Sequence, residues 1–127
     1  PEACLPLLGL IAAGEPIEAL ETPDRVMVPS SLIHSDNFVL QVKGQSMIDE
    51  QIQDGDYIVV RKTATARSGQ IVVAIINDEA TLKCYVPKSD RVELHPRNPN
   101  FPIITIKKTD NFYINGVLLY SFREYIN

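Results

Sequence analysis

Tryptophan is absent from the chain, and cysteine, histidine and methionine occur only twice each in 127 residues. Cys4, Cys84, His34 and His95 have none of the close spacings, such as C-x2-C or H-x3-H, that hold a structural metal, so no metal site is expected. Two thiols in a chain that shows no signal peptide read as reduced cysteines rather than a disulfide framework, which points to the cytoplasm. No apolar run approaches the roughly 18 residues of a membrane span. "PLLGLIAA" (6–13) is too short, and no membrane partner is expected. Positive charge is also scarce: 12 Lys and Arg stand against 16 Asp and Glu, a net charge of −4. Without a basic stripe the chain alone is not expected to bind DNA. No Gly-rich loop opens a helix after a strand, so a phosphate cradle is excluded, and no cofactor is expected. "DGDY" (54–57) lacks the further oxygen ligands of a calcium loop and reads as a turn. The first residue is Pro1, not Met, which reads as a processed product or an excised piece of something longer.

What the chain does have is 45% hydrophobic and 22% charged residues, enough for one compact domain with its own core. Clusters of Val, Ile, Thr and Tyr punctuated by nine prolines and six glycines predict a mostly β domain of twisted antiparallel sheets and hairpins. Five of the nine prolines lie within residues 1–36, with the acidic "GEPIEALETPD". Residues 1–25 are therefore expected as an extended, partly mobile linker arm and residues 26–127 as the β domain. "NFVLQVKG" alternates as a half-buried strand, and Asp54-Gly55 turns the chain into a strand from Tyr57 to Arg61. "GQIVVAIIN" and "TLKCYVP" flank the break "DEA" as a hairpin, with Thr81, Lys83 and Tyr85 on one face of its second strand. "RVELHP" and "PIITIKK" are short strands, and "NFYINGVLLYSF" is expected as a hairpin turning at Asn115-Gly116.

Between the first two strands lies "QVKGQSMIDE" (41–50). Ser46 followed three residues later by Asp49 matches a helix-capping pattern, so a short helical turn is expected to begin there. The same serine is a candidate nucleophile, with backbone N–H groups at Ser46 and Met47 as possible oxyanion donors. A serine hydroxyl attacks only when a base takes its proton, and a lysine is such a base only when neutral. Lys83, set among Leu82, Cys84, Tyr85 and Val86, is the candidate, because desolvation lowers an amine's pKa. Local sequence alone favours the plainer readings, a cap for Ser46 and an exposed strand lysine for Lys83.

The ordered set "PLLGLIAAGEP", "VKGQSMIDEQIQDGDYIVVR", "GQIVVAIINDEATLKCY", "VELHPRNPNFPII" and "INGVLL" resembles the self-cleaving C-terminal domain of LexA-type SOS repressors, a group that includes phage lambda-type repressors and UmuD. The resemblance implies the LexA/signal-peptidase-like fold and an autoproteolytic serine-lysine dyad in which Ser46 is the nucleophile and Lys83 the base, 37 positions apart. "AAG" corresponds to the scissile bond Ala13–Gly14, the choice of LexA and phage repressors rather than the Cys-Gly of UmuD. Ser46 is then expected both to cap its helical turn and to attack Ala13. Leu10 departs from the commonest pattern, where a basic residue stands. The resemblance further implies a homodimer, for which Leu118–Phe122 is the candidate edge strand, and cleavage stimulated by a RecA filament on single-stranded DNA. Operator DNA would be bound only through an N-terminal helix-turn-helix domain absent from this chain. The rival readings are a UmuD-like or phage-repressor domain, a signal-peptidase-like enzyme acting on external substrates, and a β dimerisation module without activity.

Overall fold

The computed structural model describes residues 3–125, leaving aside the side chains of residues 21–23. Nine strands are described: β1 (Cys4–Ala12), β2 (Glu18–Met27), β3 (Asn37–Lys43), β4 (Tyr57–Lys62), β5 (Ile71–Ile76), β6 (Glu79–Pro87), β7 (Val92–His95), β8 (Ile104–Thr105) and β9 (Phe112–Phe122). Two 3-10 turns, Ser30–Leu32 and Ile48–Glu50, are the only helical pieces among the described residues. No helix among them is long and apolar enough to cross a membrane. The strands form one sheet in the order β2-β1-β3-β4-β9-β5-β6-β7-β8. Every neighbouring pair is antiparallel except β1 with β3, which is parallel.

Both faces of the sheet are packed. Phe38, Leu40 and Val42 of β3 meet Ile58 and Val60 of β4, Val73 and Ile75 of β5 and Leu82 of β6 in the largest apolar cluster. The alternate residues of β3 and β4, Val39 and Val59, join Leu5, Leu7, Val26 and Val28 on the other face. Further along that sheet Val72, Ala74, Leu94, Ile114 and Val117 form a third cluster. This explains why β5 reads as a continuous apolar run, "IVVAII", instead of alternating: it is covered on both sides. The β5–β6 hairpin expected from sequence is present, and its two turn residues, Asn77 and Asp78, both have positive φ (51° and 70°), as a two-residue hairpin turn requires.

Three expectations need correction. The segment expected as an extended arm is instead a β-hairpin, with β1 paired to both β2 and β3. Its prolines sit where a sheet tolerates a missing N–H. Pro6 precedes the first β1 residue paired with β3, Leu7, and Pro23 belongs to the edge strand β2. Second, Asn115-Gly116 is no turn, because β9 runs straight through it. Asn115 is an extra residue in the ladder between Val73↔Gly116 and Ala74↔Ile114. Gly116 lies so close to β4 that a Cβ there would collide with Val60 Cγ1 and the Arg61 carbonyl, so this Asn-Gly pair encodes a bulge and a close backbone approach. Third, β9 is not an edge strand: it lies between β4 and β5. Only Leu118–Phe122 extends beyond its pairs with β5, and there it pairs with β4 alone among the described ladders.

Candidate active site

Lys83 lies in the middle of β6, opposite Val72 of β5, and is 2% exposed. The plain reading of an exposed strand lysine therefore fails. Its Nζ is 3.1 Å from Ser46 Oγ, 2.6 Å from Thr81 Oγ1 and 3.2 Å from the Leu82 carbonyl oxygen. Three oxygens around one amine, with no carboxylate bonded to it, offer hydrogen bonds but no countercharge. Burial pulls the Lys83 ammonium from its ordinary 10.5 down to about 8. A neutral amine has two N–H donors and one lone pair. The Leu82 carbonyl can only accept and Thr81 can take the second donor, which leaves the lone pair to accept the Ser46 hydroxyl proton.

Ser46 is half-buried in the loop that follows β3. It does not cap the 3-10 turn as expected: that turn starts at Ile48 from Met47, with no side-chain cap. Asp49 N–H, the donor a cap at Ser46 would satisfy, donates instead to the Arg97 carbonyl at 2.7 Å. In return Arg97 N–H donates to the Ser46 carbonyl at 2.8 Å. Other bonds hold the same loop. Asn98 Nδ2 donates to the Gln45 carbonyl (2.8 Å), and Gly44 N–H, at a φ of 94°, donates to Asp54 Oδ1 (2.8 Å). The Arg97 side chain spans from Glu50 Oε1 (2.9 Å) to Cys84 Sγ (3.1 Å), tying the serine loop to the strand of Lys83. Met47 is buried in the core beside Leu40, Ile52 and Leu82. Among the described residues no protein acceptor is found for the Ser46 or Met47 N–H.

Ala13 and Gly14 lie at the tip of the β1–β2 hairpin, and the ladder brings them to the same place. The last β1–β3 pair is Ala12↔Lys43, so Ala13 emerges beside Gly44 and the serine loop. Ala12, Ala13, Lys43, Gly44, Gln45, Ser46 and Phe101 line one open groove of about 300 Å³. Gly14, at a φ of 80°, donates its N–H to the Ala80 carbonyl (3.1 Å), and Ala80 N–H donates to Glu15 (2.7 Å), a bridge that seats the hairpin tip on β6. The structure thus sets Lys83 against Ser46, Ala13 in the groove beside Ser46, and Gly14 on Ala80 of the strand that carries Lys83. Leu10 lies within the paired part of β1, opposite Glu18 and Gln41.

Sequence reasoning passed over Thr81 and Arg97. Thr81 was legible, because residues two apart on a strand share a face and it precedes Lys83 by two. Arg97 had no such signal, since its contacts are made by a loop that the chain reaches only after β7.

Residues 6–119 match the family model described as peptidase S24-like. The chain is similar to the LexA repressor of Syntrophotalea carbinolica, 52% identical over 95% of this chain and 60% of that protein. It is 47% identical to the LexA repressor of Myxococcus xanthus over 84% of this chain and 50% of the relative. For the LexA repressor of Paracidovorax citrulli the identity is 44%, over 94% and 54% respectively. The chain therefore spans 50–60% of the length of these relatives.

Proposed function

Because the chain belongs to the peptidase S24-like family, we propose that it is the self-cleaving C-terminal part of a LexA-type repressor and cuts its own Ala13–Gly14 bond with a Ser46–Lys83 dyad. The observation that carries this reading is the 3.1 Å approach of the buried, uncompensated Lys83 amine to Ser46 Oγ, beside the groove that Ala13 lines. Neutral Lys83 takes the Ser46 proton as Oγ bonds to the Ala13 carbonyl carbon. The resulting oxyanion is received by the backbone N–H groups of Ser46 and Met47. Protonated Lys83 then gives its proton to the Gly14 nitrogen, the peptide bond breaks, and an ester joins Ala13 to Ser46. Water, deprotonated by the same amine, hydrolyses that ester and restores the serine. Holding the bond on the β1–β2 hairpin tip supplies effective molarities of about 10⁵ M or more, which lets a dyad without a third member suffice.

In this reading operator DNA is bound by an N-terminal helix-turn-helix domain outside residues 1–127, and residues 1–25 serve as the cleavage arm. A RecA filament on single-stranded DNA stabilises the docked state in which the bond meets the dyad, the setting is the bacterial cytoplasm, and the catalytic domain dimerises. The outer edge of Leu118–Phe122, beyond the last pair with β5 and carrying the 44% exposed Tyr120, suits strand pairing between two copies. The deciding experiment is intact-mass spectrometry after incubation at neutral and alkaline pH, with and without RecA, single-stranded DNA and nucleotide. A concentration-independent cut between Ala13 and Gly14, lost in Ser46→Ala and Lys83→Ala, is expected; the same cut in either variant would overturn the dyad.

A further inference from the structure

Residues 3–13 would belong to the N-terminal product of the proposed cut, yet most of them form β1, an interior strand of the sheet. On one side β1 pairs with β2 from Cys4↔Met27 to Leu10↔Glu18, and on the other with β3 from Leu7↔Val39 to Ala12↔Lys43. Its side chains enter both cores. Leu5 and Leu7 pack with Val26, Val39 and Val59, whereas Ile11 packs with Phe38, Leu40 and Val42 on the opposite face. The change of face happens at Leu8, the extra residue between Leu7↔Val39 and Gly9↔Leu40, which is turned out and 49% exposed. A strand keyed into both faces cannot slip along its neighbours without pulling one apolar set into water.

The scissile bond lies beyond the end of β1, in the connection to β2, so hydrolysis opens the covalent link and leaves both ladders in place. Departure of β1 would also strip β2 of its sole neighbour in the sheet. We infer that the cleft between β2 and β3 keeps residues 3–13 as a docked strand after the cut, so that the two products remain one folded complex until the strand is released. The mode of binding is strand addition, here with main-chain pairing on both sides. This rests on the proposed cut site for its biological setting, although the cleft can be tested without it.

The test uses the full chain carrying Ser46→Ala, with the recognition sequence of an added site-specific endopeptidase inserted between Ala13 and Gly14. Complete scission is verified by mass under denaturing conditions, and the products are then followed by native mass spectrometry and size exclusion. A 1:1 complex of the two fragments is expected. Leu7→Ala or Ile11→Ala in the same background should shorten its half-life about tenfold or more, as loss of a buried side chain implies, while Leu8→Ala changes it less than about twofold. Fragments that separate as soon as they are cut, or a Leu8→Ala effect as large as that of Ile11→Ala, would overturn the inference. The unmodified chain incubated in parallel reports on the Ser46 chemistry: failure to cut there counts against the proposed function and leaves the retention result standing.

Discussion

Ser46 and Lys83 face each other across 3.1 Å, but they are held by opposite means. Lys83 belongs to an interior strand whose stretch Ala80–Cys84 is wholly buried. Ser46 sits on a half-buried loop pinned by hydrogen bonds from Arg97 and Asn98 and by the Gly44–Asp54 contact. The difference suits the roles proposed for each group. A base must be desolvated to be neutral, and a sheet interior desolvates best; a nucleophile must be reached by a peptide, and a loop beside an open groove allows that.

The largest effects should come from removing either group. Ser46→Ala and Lys83→Ala are each expected to slow the cut about a thousandfold or more, read by intact mass. Their effects on stability should diverge. Ser46→Ala should change unfolding by less than about 0.5 kcal/mol. Lys83→Met, which keeps the volume and removes the buried amine, should raise the melting temperature at pH 7.

The pH dependence sharpens the contrast. Below about 8 the cut should quicken about tenfold per pH unit as the amine loses its proton, and above about 9 it should level off. Folding lowers the Lys83 value from 10.5 to about 8, so between these the unfolded chain holds more protons and stability rises with pH. Below about 8 the full penalty, about 3 kcal/mol, is present. Thermal unfolding from pH 7 to 10.5 should show this rise in the Ser46→Ala chain and lose it in Ser46→Ala with Lys83→Met.

Thr81→Val tests the orientation of the amine. The cut should slow by about tenfold. Its pH midpoint should fall, because the hydroxyl 2.6 Å away accepts a hydrogen bond from the charged form. The smallest effect belongs to the loop: Arg97→Ala removes the side-chain tie from Glu50 to Cys84 and leaves the backbone bonds to Ser46 and Asp49. A loss of about fivefold in rate with under about 1 kcal/mol in stability is expected from single-turnover and denaturation curves.

Much of the sheet was legible in the chain because strands such as "NFVLQVKG" and the β5–β6 hairpin are local patterns of alternation and turn chemistry. The misreadings share one cause, that local signals carry no information about neighbours distant in sequence. Asn115-Gly116 has the composition of a turn, but β4 and β5 hold it straight. The prolines of residues 1–25 suggest an unpaired arm, yet Pro6 and Pro23 occupy positions where a hairpin joining a sheet can accept them. Ser46 and Asp49 spell a cap, while the donor is claimed by Arg97, 97 − 49 = 48 positions later. Lys83 could be suspected from its apolar neighbours, but its burial depends on β5 and β7 closing around it.

β9 is the last described strand in chain order and sits at the middle of the sheet. To one side of it lie β1 to β4 with the serine loop, and to the other β5 to β8 with Lys83; among the described residues no other strand ladder joins the two halves, which otherwise meet through the Glu15–Ala80 bridge and the Arg97 contacts. A ribosome adds about 5–20 residues per second, so the joining segment emerges some seconds after Ser46 and Lys83. In the proposed mechanism Ser46 and Lys83 are thus joined in one continuous sheet only after Phe112–Phe122 has been made, and nascent chains halted before Phe112 should carry both groups and cut more slowly than residues 1–127 do.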